Sequence, residues 1–212
     1  MEARFNYCFR QLSRHTFERR DYMDLQQVRD DLKQRLPKER YEHVLRVTET
    51  AKKLAEKAGV SVEKAEIASL FHDYAKFMNK NELLELLSRD EEYELYSKYH
   101  SELWHAPVGA LLAKEKYGVE DEDILQAVRF HTTGRAGMSD LEKVIYIADL
   151  VEPGRKFPGV ADLRERIEGE SLEDQMTECI QHTFKFLVHQ YAVIFPNSFD
   201  CYNEHVRRRK EQ

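Results

Sequence analysis

Apolar positions recur at three- and four-residue intervals along nearly the whole chain, the period of one helical face, and no stretch alternates with the period of two that a half-buried strand requires. The fold class read from this pattern is all-α. Asp24 to Leu36 reads as a short helix closed by Pro37. Glu39 to Ala58 reads as a longer one, with Val44, Val47, Ala51, Leu54, Ala55 and Ala58 on one stripe and Gly59 as a left-handed cap. Further helices are expected over Ser61 to about Ala75, Asn79 through Leu87, Glu102 to Tyr117, Glu120 to Phe130, Ser139 through Val151, Val160 to Ile167, Ser171 to Ile194 and Ser198 to Arg209. Asn79 with Glu82 and Ser139 with Glu142 have the spacing of capping boxes, and Pro153 with Gly154 stops the helix before them. Residues 1–22, rich in Arg, Phe and Tyr, read as an N-terminal extension, either a further packed helix or a loose tail, on a single domain spanning 23–212.

Composition narrows the class. The chain has 212 residues, 42 % of them hydrophobic and 34 % charged, with only eight Gly and five Pro, enough for one core and unlike collagenous, disordered or disulfide-scaffold chains. The longest uncharged apolar runs, Val144 to Ala148 and Leu187 to Ile194, fall far short of the roughly 18 to 20 residues a bilayer span needs, so no membrane role is expected. Residues 1–22 carry no continuous apolar segment of leader length, and the expected compartment is the cytoplasm. Cys8, Cys179 and Cys201 form no C-x-x-C pair and suggest neither disulfides nor a zinc knuckle. A formal charge of -6 argues against nucleic acid as a partner, yet leaves room for a small phosphorylated ligand in a locally basic pocket.

The candidate chemistry begins at His72-Asp73. With nine His and 13 Asp in 212 residues, about half of one such dipeptide is expected by chance, so the pair alone is weak. Its setting is stronger: the pair follows the apolar face of Ala65, Ala68 and Phe71, where a carboxylate costs several kcal/mol unless paired. Asp149 is the one formal charge between Val144 and Val151 and poses the same problem. Two partly buried carboxylates call for a shared cation. Imidazoles are available at His43 beside the stripe of the second helix, at His105, and at His131. Imidazole and carboxylate spread over five helical segments suit a zinc, iron or manganese site in the core of a bundle.

The order His43, His72-Asp73, Asp149 resembles the metal signature of the HD-domain phosphohydrolases. Five flanking blocks sharpen the likeness: Arg40 to His43, Leu70 to Lys76, His105 to Ala110, His131 to Arg135, and Tyr146 to Asp149 continuing through Glu152 to Arg155. Together with Phe157 to Val160 and Asn203, they are similar to the YqeK-type symmetrical bis(5′-nucleosyl)-tetraphosphatases over about residues 38 to 204. The resemblance implies an HD-domain helical bundle with two divalent metal ions, usually iron, with manganese or zinc as alternatives. His43, His72, Asp73 and Asp149 would hold one ion, and His105 and His131 the other, with Asp73 bridging. It further implies attack of a metal-activated hydroxide on an inner phosphorus of diadenosine tetraphosphate, giving two ADP, with catalysis resting on positioning and electrostatics.

A polyphosphate substrate needs further positive groups. Lys76, one turn after Asp73 on what reads as the same helix, is assigned a phosphate contact, as are Arg135 after His131 and Arg155 after the helix of Asp149. Thr132, Thr133 and Gly134 offer hydroxyl and backbone donors, and Glu152 is placed with the substrate-binding group or behind a histidine. Trp104 beside His105 reads as a pocket wall or core residue more readily than as a base-stacking ring. His15, His100, His182, His189 and His205 read as ordinary packing or surface residues, and Arg207 to Lys210 as a solvated helix end. The alternatives are an HD-domain phosphohydrolase of other specificity (phosphodiesterase, nucleotidase or guanosine tetraphosphate hydrolase) and a non-catalytic, metal-containing nucleotide sensor. Base preference and the choice between monomer and homodimer are left open.

Overall fold

A computed structural model describes residues 23–211, and both readings of residues 1–22 lie outside the described residues. Eleven α-helices follow one another, with no strand among the described residues: α1 Leu25–Arg35, α2 Lys38–Ala58, α3 Val62–Phe71, α4 Lys80–Leu87, α5 Tyr93–Tyr96, α6 His105–Tyr117, α7 Glu122–Phe130, α8 Asp140–Val151, α9 Val160–Ile167, α10 Leu172–His189 and α11 Pro196–Glu211. The all-α expectation holds. Helix α2 packs on α3 and α8, α7 lies between α6 and α8, and α10 ties α8 to α9 and α11.

Local signals explain most boundaries. Asp24 accepts from the backbone N–H groups of Gln26 and Gln27 at the start of α1, and the chain leaves the helix at Leu36, before Pro37. Gly59 ends α2 in the left-handed conformation, φ 70°. Ser139 and Glu142 form the capping box anticipated at the start of α8. Val44, Val47, Ala51 and Ala55 of α2 meet Ala65, Ala68 and Phe71 of α3 and Val144, Ile145 and Ala148 of α8 in the main core. A second cluster, around Ile147, Met176 and Ile180, joins α8 to α10. A third gathers Leu83, Leu87, Tyr96, Trp104 and Phe195 beneath the α4–α5 segment.

Three boundaries differ from the sequence reading by three residues or more. Helix α3 stops at Phe71 rather than near Ala75, and the chain continues in short turns, with Tyr74 N donating to Phe71 O and Lys76 N to Asp73 O. The physical cause is His72: its Nδ1–H donates to Ser69 O at 2.5 Å, competing for the carbonyl that the Asp73 N–H would use if the helix went on. Asp73 and Lys76 therefore share a turn, not a helical face. Helix α10 ends at His189 instead of Ile194, because Tyr191 turns to positive φ (52°) and Ala192 N closes back onto Leu187 O. That exit drops Phe195 against Tyr96 and Tyr99, while Tyr191 and Val193 stay exposed, so the apolar run there is not one buried face. Helix α6 begins at His105, after a 3-10 turn over Ser101–Leu103, and not at Glu102.

Candidate metal centre

The six residues expected to hold metal come together. His43 stands on α2, His72 caps α3, Asp73 lies in the turn beyond it, His105 opens α6, His131 caps α7, and Asp149 is in the last turn of α8. The four histidines and Asp73 are each no more than 5 % exposed. Asp149 is somewhat more open, its side chain 20 % exposed.

Each imidazole has its Nδ1 taken. His72 Nδ1 donates to Ser69 O, His105 Nδ1 to Glu102 O at 2.6 Å and His131 Nδ1 to Val128 O at 2.7 Å, always the carbonyl three residues earlier. Free carbonyls of this kind are what a helix end or a 3-10 turn leaves over. His43, in mid-helix, has none, and its Nδ1 lies 3.0 Å from Glu152 Oε1 instead. Glu152 is almost wholly buried and is itself held by Arg46 Nε at 2.6 Å and by the Gly154 N–H at 2.6 Å. Because carbonyls and carboxylates only accept, every Nδ1 carries the proton, and every Nε2 of a neutral ring is left with a lone pair.

Those four Nε2 atoms converge on the carboxylates. Asp73 Oδ2 is 3.4 Å from His72 Nε2 and 3.6 Å from His43 Nε2, while Asp73 Oδ1 is 3.3 Å from His105 Nε2. Asp149 Oδ1 is 3.0 Å from His43 Nε2 and 3.8 Å from His72 Nε2. His105 Nε2 and His131 Nε2 face each other at 3.1 Å. Two groups of three possible ligands result, His43, His72, Asp73 and Asp73, His105, His131, sharing Asp73, with the donor atoms of each group within 4.8 Å of one another.

The donor set fits a divalent cation. The Nε2 atoms of His43 and His72 are buried with no hydrogen-bond partner among the described residues, and lone pairs on opposed Nε2 atoms repel unless a positive charge lies between them. The electrostatics agree. Burial alone would raise the Asp73 pKa, but positive charge drawn onto His72, whose own pKa Asp73 raises against burial, and the contact with His105 hold it well below the usual carboxylate range, the part that a cation between them would play. Burial raises Asp149 too, and His43 and Arg155 overcome it. His131, desolvated and facing His105 and His72, is pushed down to about 3, so its ring is neutral and free to bind a metal.

The expected substrate contacts divide. Arg155 lies against Asp149, its Nε donating to the Asp149 carbonyl at 2.8 Å and its Nη2 reaching the carboxylate. Lys76 Nζ pairs with Glu102 at 2.9 Å, beside His105. Thr132 and Thr133, next to His131, have buried hydroxyls with no partner among the described residues. Gly134 has φ 62° and spends its N–H on Phe130 O, so it is a turn residue and not a donor to a phosphate. Arg135 forms a two-pronged pair with buried Glu142, 2.8 and 2.6 Å, which pins the His131 loop to α8. Glu152 has both oxygens engaged behind His43, by His43 itself, Arg46 and the Gly154 N–H. Trp104 is buried in the third core cluster, with its indole N–H on Tyr96 O.

Two arginines escaped the sequence reading. Arg40 Nη1 sits 2.9 Å from Asp73 Oδ2, and Arg46 holds Glu152. The signal was present: residues 40, 43 and 46 are three apart, one face of α2.

Comparison with known proteins agrees with this geometry. The HD domain family matches residues 40–154. The symmetrical bis(5′-nucleosyl)-tetraphosphatase of Bacillus subtilis (strain 168) is 46 % identical over 172 residues, 81 % of this chain and 92 % of that one. Its namesake from Halalkalibacterium halodurans is 42 % identical over 179 residues, covering 84 % and 95 %. The crystal structure of an HD superfamily hydrolase from Clostridium acetobutylicum, described as involved in NAD metabolism, superimposes with a TM-score of 0.78 at 37 % identity, covering 87 % of this chain and 98 % of that one. An HD domain implies a divalent metal, and the buried His and Asp groups could bind one. The chain belongs to the HD-domain family, in the branch whose curated members are named symmetrical bis(5′-nucleosyl)-tetraphosphatase.

Proposed function

We propose that this chain is a metal-dependent hydrolase that cleaves diadenosine tetraphosphate and related dinucleoside tetraphosphates at the central anhydride, giving two nucleoside diphosphates. The observation that carries the reading is the shared carboxylate: Asp73 presents one oxygen to His43 and His72 and the other to His105, as a ligand bridging two ions would. The names of the relatives support the substrate. His43, His72, Asp73 and Asp149 would hold one divalent ion and His105, His131 and Asp73 a second, iron first among the choices, with manganese and zinc next. When bound, such a pair supplies Lewis acidity to an attacking water and to the phosphoryl oxygens.

The chain's own residues do the rest. The tautomers fixed by Ser69, Glu102, Val128 and Glu152 aim four Nε2 atoms before any ligand arrives, so little reorganisation remains for catalysis. Arg155 and Lys76 flank the centre and offset substrate charge, and Thr132 and Thr133 add hydroxyl donors. Glu152 and Arg135 act one step back, orienting His43 and the His131 loop. The water oxygen forms a bond to an inner phosphorus, and the central P–O bond breaks, its oxygen leaving with the second nucleoside diphosphate. The same reading makes a dinucleoside polyphosphate the partner and the cytoplasm the compartment, which the unpaired, buried Cys179 and Cys201 support; no described helix is long and apolar enough to cross a membrane.

The test is chromatography of the products when iron- or manganese-loaded protein is incubated with diadenosine tetraphosphate. ADP as the sole product, abolished by a chelator, is expected. AMP plus ATP would overturn the symmetrical cut, and no turnover by metal-replete protein would overturn the hydrolase.

A further inference from the structure

The candidate ligands lie between two clefts of unequal size. His43 lines one of about 650 Å³, and His105 lines another of about 130 Å³. A site for a nucleotide-sized ligand takes roughly 300 to 1,000 Å³, so only the cleft on the His43 side holds a base and ribose together with phosphates. Its wall is cationic, with Arg40 and Arg155 at the end nearest Asp73 and Asp149, and exposed Lys156, which pairs with no carboxylate among the described residues, farther out. Two phenylalanines interrupt that wall. Phe157 is half-buried and packed on the His182 ring at 5.2 Å. Phe77, at the end of the turn that carries His72 and Asp73, is 53 % exposed, with the Arg40 guanidinium 6.0 Å from its ring centre.

Phe77 is set apart from the other exposed apolar side chains of the described residues. The other exposed large apolar side chains, Phe186, Val188, Tyr191, Val193 and Phe199, all belong to α10, α11 and the segment joining them. Phe77 stands apart from them, in a cleft that it shares with Arg40, Arg155 and Lys156. An open aromatic face next to cations is what a stacked base with its phosphates requires, since any base offers a π-face and guanidinium adds a cation–π contact.

We infer that Phe77 is the stacking platform for the base of the nucleoside diphosphate half bound on the His43 side, making it a specificity-determining residue for nucleoside over bare polyphosphate. The inference rests on the proposed function for its substrate class. It assigns the two halves of the substrate to unlike sites: one base is gripped beside Arg40, and the other half runs past Lys76 through the narrow cleft.

The test measures binding, not turnover. Calorimetric titration of manganese-loaded protein with ADP and with inorganic pyrophosphate compares ligands of similar phosphate charge, one with a base and one without. Phe77→Ala is expected to weaken ADP by about tenfold, within the range that alanine substitution of a stacking ring produces, and to leave pyrophosphate unchanged. Phe77→Trp is expected to restore ADP affinity, and its exposed indole to be quenched by ADP but not by pyrophosphate. Equal losses for both ligands in Phe77→Ala, no loss for either, or an indole that responds to both alike would each overturn the platform. The two readings fail separately. A chain that binds ADP through Phe77 yet leaves diadenosine tetraphosphate intact would keep the platform and lose the hydrolase; symmetrical cleavage with ADP affinity untouched by Phe77→Ala would do the reverse.

Discussion

The two halves of the candidate centre are oriented by different means. On the α6–α7 side, His105 and His131 are aimed by main-chain carbonyls three residues earlier, Glu102 O and Val128 O, and His72 follows the same rule through Ser69 O. On the α2 side, His43 relies on a side chain, Glu152, which depends in turn on Arg46 and the Gly154 N–H. The reason is position along a helix. A histidine at a helix end finds a spare carbonyl, whereas one in mid-helix finds its neighbours' carbonyls committed to the ladder and must be oriented from another element. One half is therefore built into the backbone path, and the other depends at His43 on a side chain that a single substitution can change.

The largest effect is expected where the halves meet. Asp73→Ala removes the one carboxylate that both groups of ligands share, and it should reduce turnover to background and empty the centre of metal, as read by elemental analysis. Retained metal at half the wild-type content would show instead that the halves load independently. Next comes Glu152→Gln, which keeps size and packing but weakens the acceptor for His43 Nδ1. It should cost about 10- to 100-fold in metal affinity or activity, confined to the ion on the His43 side. The α6–α7 histidines offer no equivalent target, and equal loss of both ions in Glu152→Gln would contradict the division.

How much of this was legible in the sequence follows from the same distinction. Periodicity located the long helices, because their apolar stripes face one core; Asp73 and Asp149 stood out as carboxylates among apolar residues that need a cation, and the full set of six followed only from the resemblance to the HD-domain phosphohydrolases. The His72 turn was not legible as such. The helix pattern runs on through Ala75, and what stops it is a side chain bonding to its own backbone, a local competition that hydrophobic spacing does not register. The end of α10 was missed for the opposite reason: Leu187 to Ile194 looks like a buried face, but only a tertiary contact, Phe195 against Tyr96 and Tyr99, decides where the chain leaves the helix. Arg40 and Arg46 were within reach, being one helical turn either side of His43. The partner of Arg135 was not, since a charged residue near a ligand reads the same whether it faces substrate or a buried neighbour.

Gly109 tests how closely the halves must approach. A Cβ there would stand 3.1 Å from Phe71 O and 3.8 Å from His72 O, so the absence of a side chain lets α6, which carries His105, lie against the turn that carries His72 and Asp73. Gly109→Ala gains some helix propensity and loses that approach, because a rigid backbone oxygen cannot give way as a side chain would. A net loss of about 1 to 2 kcal/mol is expected, seen as a melting temperature lower by about 2 to 8 °C. Metal affinity should fall with it on the His105 side, and an unchanged or higher melting temperature would mean that α6 has room to spare.

The smallest effect is expected behind the centre, where α1 braces the turn between the halves. Asp31 Oδ2 accepts from Lys116 Nζ at 2.7 Å, from Tyr117 Oη at 2.5 Å and from the hydroxyl of Tyr74, the residue after Asp73. Burial would raise the Asp31 pKa, but the bonds from Lys116, Tyr117 and Tyr74 outweigh it and hold the carboxyl well below its ordinary value. A depressed native pKa means that the unfolded chain takes up the proton first. The stabilisation is therefore complete above about pH 4, the unfolded value, and is lost as pH falls through the lower native one. Asp31→Asn should cost about 1 kcal/mol from pH 5 to 8, with the gap from wild type closing under stronger acid, as measured by denaturant unfolding across that range. Because the bracing reaches the ligands only through Tyr74, metal affinity should change far less than in Glu152→Gln. A gap that stayed constant into strong acid would show that Asp31 acts by shape alone, and a large loss of metal would show that the turn is held from α1 as firmly as His43 is held from α8.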